Sequence, residues 1–309
     1  MVLRKLFLQT AFAALLAGAA HAESNSGEER FDSPFTVEVS AGVEYDSNVS
    51  VNEVDNNTGA DDFAAVIDAD VEFETKLSEE TQLQFGYSFS QSLHEEFTNF
   101  DLQSHFGSAE LSHDFGGFDM GAAYRLIYTR LGGDGFMLMQ QFSPYFSKFF
   151  GKKLFLRADY TYTDKNFENR TDRDAKVHAG GADFYYFFNG VRTYFVLGYR
   201  YENEDATDDQ FDFSSNNLKA RIAQRIPFGS RDAKLKLGYR YESRDYSSIT
   251  PSISAIRDDT RHRFQAELEI PLTDRLYALA EYEHAAFSSN LPSADYDQDL
   301  ASLKLGVRF

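Results

Sequence analysis

The sequence contains no cysteine, and it has no second long apolar run after its first twenty residues. Without cysteine, neither a disulfide scaffold nor a thiolate metal site is available. Without an apolar run of about 20 residues in the remaining chain, a helical membrane protein is excluded as well. Any membrane span in this chain must therefore be built from strands.

Basic residues are scarce relative to acidic ones. The chain has 30 Lys and Arg against 49 Asp and Glu, which gives a formal net charge of −19. A nucleic-acid partner needs a basic footprint for its phosphates, so this charge balance disfavours one.

The first 22 residues have the organisation of a secretory signal peptide. Arg4 and Lys5 precede an apolar run over residues 6–19, and Ala20-His21-Ala22 supplies the small residues of a cleavage site. A retained membrane helix is the weaker alternative, because the run is shorter than the roughly 20 residues that a bilayer requires. We expect the mature chain to begin at Glu23. Removal of Arg4 and Lys5 changes the net charge from −19 to −21.

Apolar and polar residues alternate with a period of two over most of the chain, and residues 63–73 show this most clearly. Phe63, Ile67 and Phe73 belong to the apolar set, and Asp68 and Asp70 to the polar set. Such alternation predicts a strand with one face in lipid and the other in water. Similar segments recur from residue 35 to residue 309 and total about fourteen, an even number as in single-chain bacterial barrels. The abundance of Phe (30) and Tyr (18) at a mean hydropathy of −0.45 agrees with this interpretation.

The connections between these segments alternate in length. Short turns are predicted near residues 78–81, 116–117, 151–153, 189–190, 229–232 and 273–274. Long polar loops are predicted near residues 46–61, 92–102, 164–175, 202–214, 243–259 and 285–298. In outer-membrane barrels the short turns are periplasmic, so we expect both termini to face the periplasm.

Aromatic residues agree with this orientation. Tyrosines on the lipid side stand at the ends of strands that lead into long loops, and they predict an outer aromatic girdle of Tyr45, Tyr87, Tyr128, Tyr162, Tyr201, Tyr241 and Tyr282. A second level beside the short turns and termini comprises Phe35, Phe73, Phe115, Phe118, Phe146 and Phe309.

Charged residues at inward positions are mostly acidic on the first two predicted strands and mostly basic on the later ones. The predicted acidic wall of the lumen consists of Glu38, Glu44, Asp68, Asp70, Glu72 and Glu74. The predicted basic wall consists of Arg157, Arg200, Lys219, Arg221, Arg225, Lys234, Lys236, Arg240, Arg261 and Arg263. In a ring of about fourteen strands each strand faces the one seven places away, so acid would face base across the interior. Local pairing that stiffens or plugs the barrel is an equally weighted alternative to a polarised pore.

Catalysis and metal binding find little support. Seven histidines are present, at positions 21, 94, 105, 113, 178, 262 and 284, and we find no motif of an outer-membrane phospholipase or protease. His113 follows Ser112, and His178 is expected to be a hydrogen-bonded residue of the lumen. The acidic run at residues 295–299 lacks the Gly and Glu of a calcium loop. We therefore expect no catalytic residues, no metal site and no cofactor.

Several motifs resemble those of known outer-membrane barrels. The chain ends in Phe309 behind an alternating strand, which is similar to the signal recognised by the barrel-assembly machinery. The opening strand reads GVEYDSNV at residues 42–49, and hairpins repeat GYRYE at residues 198–202 and 238–242. These motifs resemble barrels related to the surface lipoprotein assembly modifier (Slam). Such modifiers carry a helical periplasmic domain before the barrel, which residues 23–33 are too short to supply.

These observations predict an all-β protein: a transmembrane antiparallel up-and-down barrel over residues 34–309, preceded by a cleaved signal peptide (1–22) and a short periplasmic lead (23–33). We expect it in the outer membrane, in contact with lipid and lipopolysaccharide, after insertion by the barrel-assembly machinery. The expected function is passage of polar or charged solutes or of a secreted substrate. The alternative is a structural or assembly barrel, Slam-like or an anchor, with a periplasmic or surface partner.

Overall fold

The strand that spans Asp62–Lys76 shows how the alternating pattern becomes structure. Its apolar residues Phe63 and Ile67 are exposed on the outside, whereas the intervening Ala64, Val66 and Asp68 are buried. Successive side chains of a strand point to opposite faces, so one period-two sequence produces a lipid face and an interior face at once. The computed structural model describes residues 34–309. The predicted signal peptide and the predicted lead at 23–33 lie outside the described residues.

The described chain contains sixteen strands, of which β2 and β3 form a small ribbon in the first loop and the other fourteen form the barrel. The strands are β1 (Phe35–Asp46), β2 (Ser50–Val51), β3 (Asn56–Asn57), β4 (Asp62–Lys76), β5 (Thr81–His94), β6 (Leu102–Asp114), β7 (Asp119–Leu131), β8 (Asp134–Phe150), β9 (Leu154–Phe167), β10 (Ala175–Phe187), β11 (Thr193–Ala206), β12 (Phe213–Phe228), β13 (Arg231–Thr250), β14 (Ala255–Pro271), β15 (Leu276–Ser289) and β16 (Tyr296–Arg308).

Each barrel strand pairs with its neighbours in the chain, and β1 pairs with β16 to close the ring. The closing register sets Glu38 opposite Arg308 and Tyr45 opposite Ala301. All these pairings are antiparallel, so every strand edge of the ring is satisfied. The predicted all-β, fourteen-strand, up-and-down barrel is confirmed. In the ring, β4 and β11 are seven steps apart, as the sequence predicted for their segments.

The two ends of the barrel differ in their connections. At the end that carries Phe35 and Phe309, here the turn end, all six predicted short turns are present. Gly116, Gly151 and Gly229 have positive φ there, a conformation that tight turns need and other residues avoid. At the opposite end, here the loop end, five short 3-10 helices lie between strands.

Five of the six predicted loops at the loop end are shorter than the sequence predicted, and the loop at 46–61 has its predicted extent. The predicted loop at 243–259 is wrong in extent, because β13 continues to Thr250 and β14 begins at Ala255. The predicted loops at 202–214 and 285–298 shrink for the same reason, since polar strand ends keep pairing after the apolar alternation stops. A tight turn at Gly132-Gly133, both with positive φ, joins β7 to β8 at this end.

The outer surface of the barrel is apolar and aromatic. Phe35 packs against Phe73 at a ring-centroid distance of 4.8 Å, and Phe118 lies between Phe115 and Phe146 at 5.2 and 5.5 Å. These rings form the predicted aromatic level at the turn end. Within residues 34–309, no helix is long and apolar enough to cross a membrane.

Candidate functional site

The interior of the barrel is lined by charged side chains, because the inward positions of most strands carry acidic or basic residues. All ten residues of the predicted basic wall lie on β9 and β11–β14 at the parity opposite to the exposed apolar residues. All six residues of the predicted acidic wall lie at the inward parity of β1 and β4.

Most basic side chains in the interior pair with carboxylates on their own part of the wall. The nitrogen–oxygen distances are 3.4 Å for Arg157–Glu110, 2.7 Å for Arg200–Asp159, 2.8 Å for Lys219–Asp183, 3.1 Å for Lys234–Glu269, 2.7 Å for Lys236–Glu267, 3.1 Å for Arg261–Asp259 and 3.8 Å for Arg263–Glu283. Arg225 and Arg240 also have interaction partners. Within residues 34–309, Arg221 alone among the ten makes no hydrogen bond or ion pair.

The acidic side of the lumen is paired in part. Arg308 binds Glu38 at 2.9 Å, and Lys304 lies 3.1 Å from Asp68. Lys304 is only 1% exposed, so its charge is fully enclosed between carboxylates of β4 and β15. Ser88 donates a hydrogen bond to Asp70, whereas Glu72 and Glu74 have no hydrogen-bond or ion-pair partner for their carboxylates within the described chain.

Residues 47–61, between β1 and β4, fold into the mouth of the barrel and are here named the inward loop. Its ribbon pairs Ser50 with Asn57 and Val51 with Asn56. Backbone hydrogen bonds from Val49 to Ala60 and from Thr58 to Val49 hold the base of the ribbon. The loop is therefore an ordered structural element rather than a solvated connection.

Apolar residues of the inward loop pack against the interior wall at the loop end. The resulting cluster, here named the mouth cluster, consists of Val51, Val54, Phe106, Ile127, Met137, Met139 and Phe167. The last five residues belong to β6–β9, so the loop reaches several strands round the ring from its own position. Met137 is fully buried, which shows that water is excluded from this part of the mouth.

Asp55 secures the other side of the inward loop. Its carboxylate accepts hydrogen bonds from Arg257 on β14 at 2.7 and 2.9 Å, and from Arg173, between β9 and β10, at 2.7 Å. Burial by itself would raise the pKa of Asp55, but the hydrogen bonds and charges of Arg257 and Arg173 outweigh it and hold the pKa below its ordinary value. The carboxylate is therefore ionised across the physiological range.

Arg257 belongs to a larger charged network. It also donates hydrogen bonds to Asp259, which in turn binds Arg261 and Ser289. Arg257 is 2% exposed and Asp259 is 1% exposed. Such buried charges persist only when each is paired and hydrogen-bonded, so the network depends on Asp55 remaining in place.

The outer girdle contains histidines that the sequence analysis did not assign to it. Predicted girdle residues Tyr87 and Tyr282 face outward, and Tyr87 contacts His105 Nδ1 at 2.8 Å. Tyr282 donates to Asp299, which also contacts His284. Further pairs of this kind are Tyr160–His178 and Tyr239–His262. Tyr45, Tyr128, Tyr162, Tyr201 and Tyr241 share the outward parity.

One expectation about histidine is wrong. His178 was expected inside the lumen, but it is exposed on the outward face of β10, because its parity matches that of Phe184. Ser112 and His113 point to opposite faces of β6, so they form no pair, and His113 instead contacts Thr81 at 2.8 Å. A period-two strand separates sequence neighbours in this way.

The acidic run at residues 295–299 is divided between loop and strand. Asp295 accepts a backbone hydrogen bond from Ser289, and Gln298 turns inward to Asp46. Within residues 34–309, no group of three or more potential metal-ligating side chains is close enough to hold an ion.

The inward loop was missed by sequence reasoning, and local pairing of the lumen charges was foreseen as an alternative but without its acid partners. Val49, Val51 and Val54 are a signal that was available, because three valines are unusual in an otherwise polar loop. The carboxylates of Asp159, Asp183 and Glu267 stand at inward parity in the sequence, but their pairing depends on register between strands.

Comparison with known proteins gives a family and a set of similar structures. Residues 104–309 match the family described as the outer membrane protein beta-barrel domain. No curated protein matches the chain. An anion-selective porin from Comamonas acidovorans has a TM-score of 0.53 at 9% identity, over 89% of this chain and 98% of that one. The trimer form of in-vitro folded OmpT, an outer membrane protein of Vibrio cholerae, gives 0.53 at 10% identity, over 89% and 98%. At such identities the likeness shows the fold alone.

Proposed function

We propose, given that the chain belongs to the outer membrane protein β-barrel domain family, that it is a channel through which small charged solutes cross the outer membrane. The observation that carries the proposal is the division of the barrel wall, apolar outside and charged inside. Glu72, Glu74 and Arg221 have no ion-pair partner within residues 34–309. A barrel whose interior were simply filled by side chains would be expected to pair such charges. Unpaired charges that face a water-filled interior are typical of a pore that selects ions.

We propose further that the channel prefers anions. Ten basic residues line β9 and β11–β14, seven of them beside carboxylates of the same wall, and the excess negative charge of the chain lies partly in loops outside the barrel wall. Exposed loop charges are screened beyond a Debye length of about 8 Å, whereas charges in a narrow lumen are screened less. The similarity in fold to an anion-selective porin is compatible with this preference.

In this proposal the loop end faces the outside and the turn end faces the periplasm, with both termini. Short turns on the periplasmic side and ordered loops outside are the usual arrangement in bacterial barrels. The inward loop then lies in the outer entrance of the channel, and solutes pass beside it.

Reconstitution of the folded protein into planar bilayers tests the proposal. A steady conductance, with a reversal potential in a salt gradient that has the sign for anions, is the expected result. A conducting but cation-selective pore would overturn the anion preference. A bilayer that shows no conductance although the protein has inserted into it would overturn the channel itself.

A second candidate is a structural or assembly barrel, either Slam-like or an anchor for a periplasmic or surface partner. The mouth cluster and the Asp55 contacts favour it, because together they hold the inward loop against the interior wall at the loop end. A non-enzymatic role is common to both proposals. A bilayer that remains silent even after the inward loop is deleted would favour this second function.

A further inference from the structure

We propose that Arg221 forms the centre of a binding site for the carboxylate group of a small organic acid inside the lumen, here named the Arg221 site. This inference deepens the proposed channel function by assigning a substrate class, and it rests on that function only for its biological meaning. The site lies on the wall formed by β10–β14.

A pocket opens on the interior at this point. One interstrand row sets Tyr185 opposite Val196, Val196 opposite Arg221, and Arg221 opposite Gly238. Gly238 has no side chain, so a depression remains beside the Arg221 side chain, with Lys219, Arg240 and Gln265 at its edge. The depression is therefore lined by three cations.

Arg221 differs from the other cations of the wall. Lys219 is held by Asp183 at 2.8 Å, and Arg240 also has a partner, but Arg221 has no hydrogen bond or ion pair with any residue that the structure describes. The Arg221 guanidinium has five N–H donors that no group of the described chain uses, and they are available to a ligand in the depression. A planar carboxylate can accept two of these donors in parallel, which is the strongest pairing open to an arginine.

Two buried tyrosines complete the site. Tyr185 is 3% exposed and Tyr194 is 7% exposed, and neither hydroxyl has a hydrogen-bond partner within residues 34–309. Their rings pack with Phe155, Phe187 and Val196 in an apolar cluster below the pocket. The site thus offers one fork for an anion, two free hydroxyls and an apolar floor.

This combination favours a monocarboxylate with a small apolar body over inorganic phosphate. The guanidinium fork can pair with either anion, but the apolar floor favours the apolar body of the monocarboxylate and gives a phosphate dianion nothing in return for its lost hydration. A cation is disfavoured by Arg221, whose positive charge has no ion-pair partner in the described chain.

Isothermal titration calorimetry of the folded protein in detergent, with sodium benzoate as the probe, tests the site. We expect saturable binding, weakened at least about ten-fold by Arg221→Gln because a bidentate charged pair is lost. Arg221→Lys should weaken binding less, and Tyr185→Phe should weaken it by a few-fold. Arg125→Gln is the matched control, since Arg125 is an inward cation on β7 that contacts Ser143 rather than a carboxylate.

Several results would overturn the site. These are no saturable benzoate binding to wild type, equal weakening by Arg125→Gln and Arg221→Gln, or tighter binding of inorganic phosphate or benzylammonium than of benzoate. Each variant is first shown to be folded by its anomalous migration on unheated gels. A protein that binds benzoate but carries no current would overturn the channel and leave the site standing, whereas one that conducts without binding would overturn the site alone.

Discussion

The carboxylate of Asp55 and the guanidinium of Arg257, 202 residues apart in the chain, face each other as a two-bonded pair at 2.7 and 2.9 Å. The pair joins a loop that starts at β1 to the inner face of β14. Asp55 adopts a φ of 50°, a left-handed conformation that Asp and Asn tolerate better than most residues. The pair therefore fixes both the position and the backbone shape of the inward loop.

Replacement of Asp55 by Asn should release the inward loop. Breaking one side of a buried ion pair costs about 3–5 kcal/mol. Because Asn also tolerates the left-handed backbone conformation, the loss of stability comes from the broken contact with Arg257 and not from backbone strain. We expect higher single-channel conductance and new proteolytic cleavage within residues 47–61. Glu53→Gln is the control, because it changes the charge of the same loop by the same amount at a side chain outside this pair. Similar behaviour of the two variants would contradict the role of Asp55.

The position of the inward loop should be insensitive to mild acid. The pKa of Asp55 is held below its ordinary value, so the carboxylate stays ionised and the contact stays complete above that ordinary value, near 3.9. The stabilisation is lost only as the pH falls from there through the lowered pKa. Protease protection of residues 47–61 measured between pH 8 and pH 5 should be constant. A transition centred in that range would show that another group controls the loop.

Arginine substitutions at outward and inward positions of β4 should lower the free energy of unfolding by different amounts. Ile67 is 40% exposed on the outer face, and Arg placed there should lower the free energy of unfolding by about 2–4 kcal/mol. Arg at Ala69 should behave similarly. Arg at inward Asp70 should cost far less, since it lies among carboxylates rather than in lipid. Urea titration in lipid vesicles measures the difference, and equal losses at both parities would mean that the assigned facing is wrong.

A larger side chain at Gly306 should lower the stability of the barrel. The ring of Tyr277 lies over it from the adjacent strand, and a Cβ at this position would overlap atoms of that ring. Gly306→Val should cost about 1–3 kcal/mol through this overlap. Gly107→Val is the matched control, because a Cβ there meets open space and Val is favoured in strands. Vesicle unfolding measurements should separate the two variants, and equal stability would exclude the overlap.

Charge reversal inside the lumen should alter ion selectivity. Arg200→Glu combined with Arg240→Glu replaces two cations of the basic wall, so the reversal potential in a salt gradient should shift towards cations. Arg130→Glu combined with Lys176→Glu changes the net charge equally at exposed outward positions and should leave the potential unchanged. An unchanged potential in the first variant would place the basic wall away from the narrowest part of the pore.

The fold was largely predictable from sequence because each strand carries its own evidence. The alternation at residues 63–73 specifies both the strand and its facing, and Gly116 and Gly229 mark turns that need positive φ. Strand ends were less predictable. β13 extends to Thr250 through polar residues whose pairing with β14 is not visible in apolar alternation.

The candidate site was predictable only in part. Inward parity identified Arg221 as a lumen residue, but its lack of a partner depends on strand register and on Asp183 binding Lys219 instead. The contacts of Asp55 join segments 118 and 202 residues distant, and no local pattern encodes such pairs.

The inward loop has a mechanical consequence. It is fixed to the ring between β1 and β4, rests on β6–β9 through the mouth cluster, and is tied to β14 by Arg257. A ring held at three separated points by one internal strut resists flattening into an ellipse, whereas a free ring deforms under the lateral pressure of the surrounding lipid. The strut keeps the cross-section round, and so keeps the lumen's opposing charges at a constant separation.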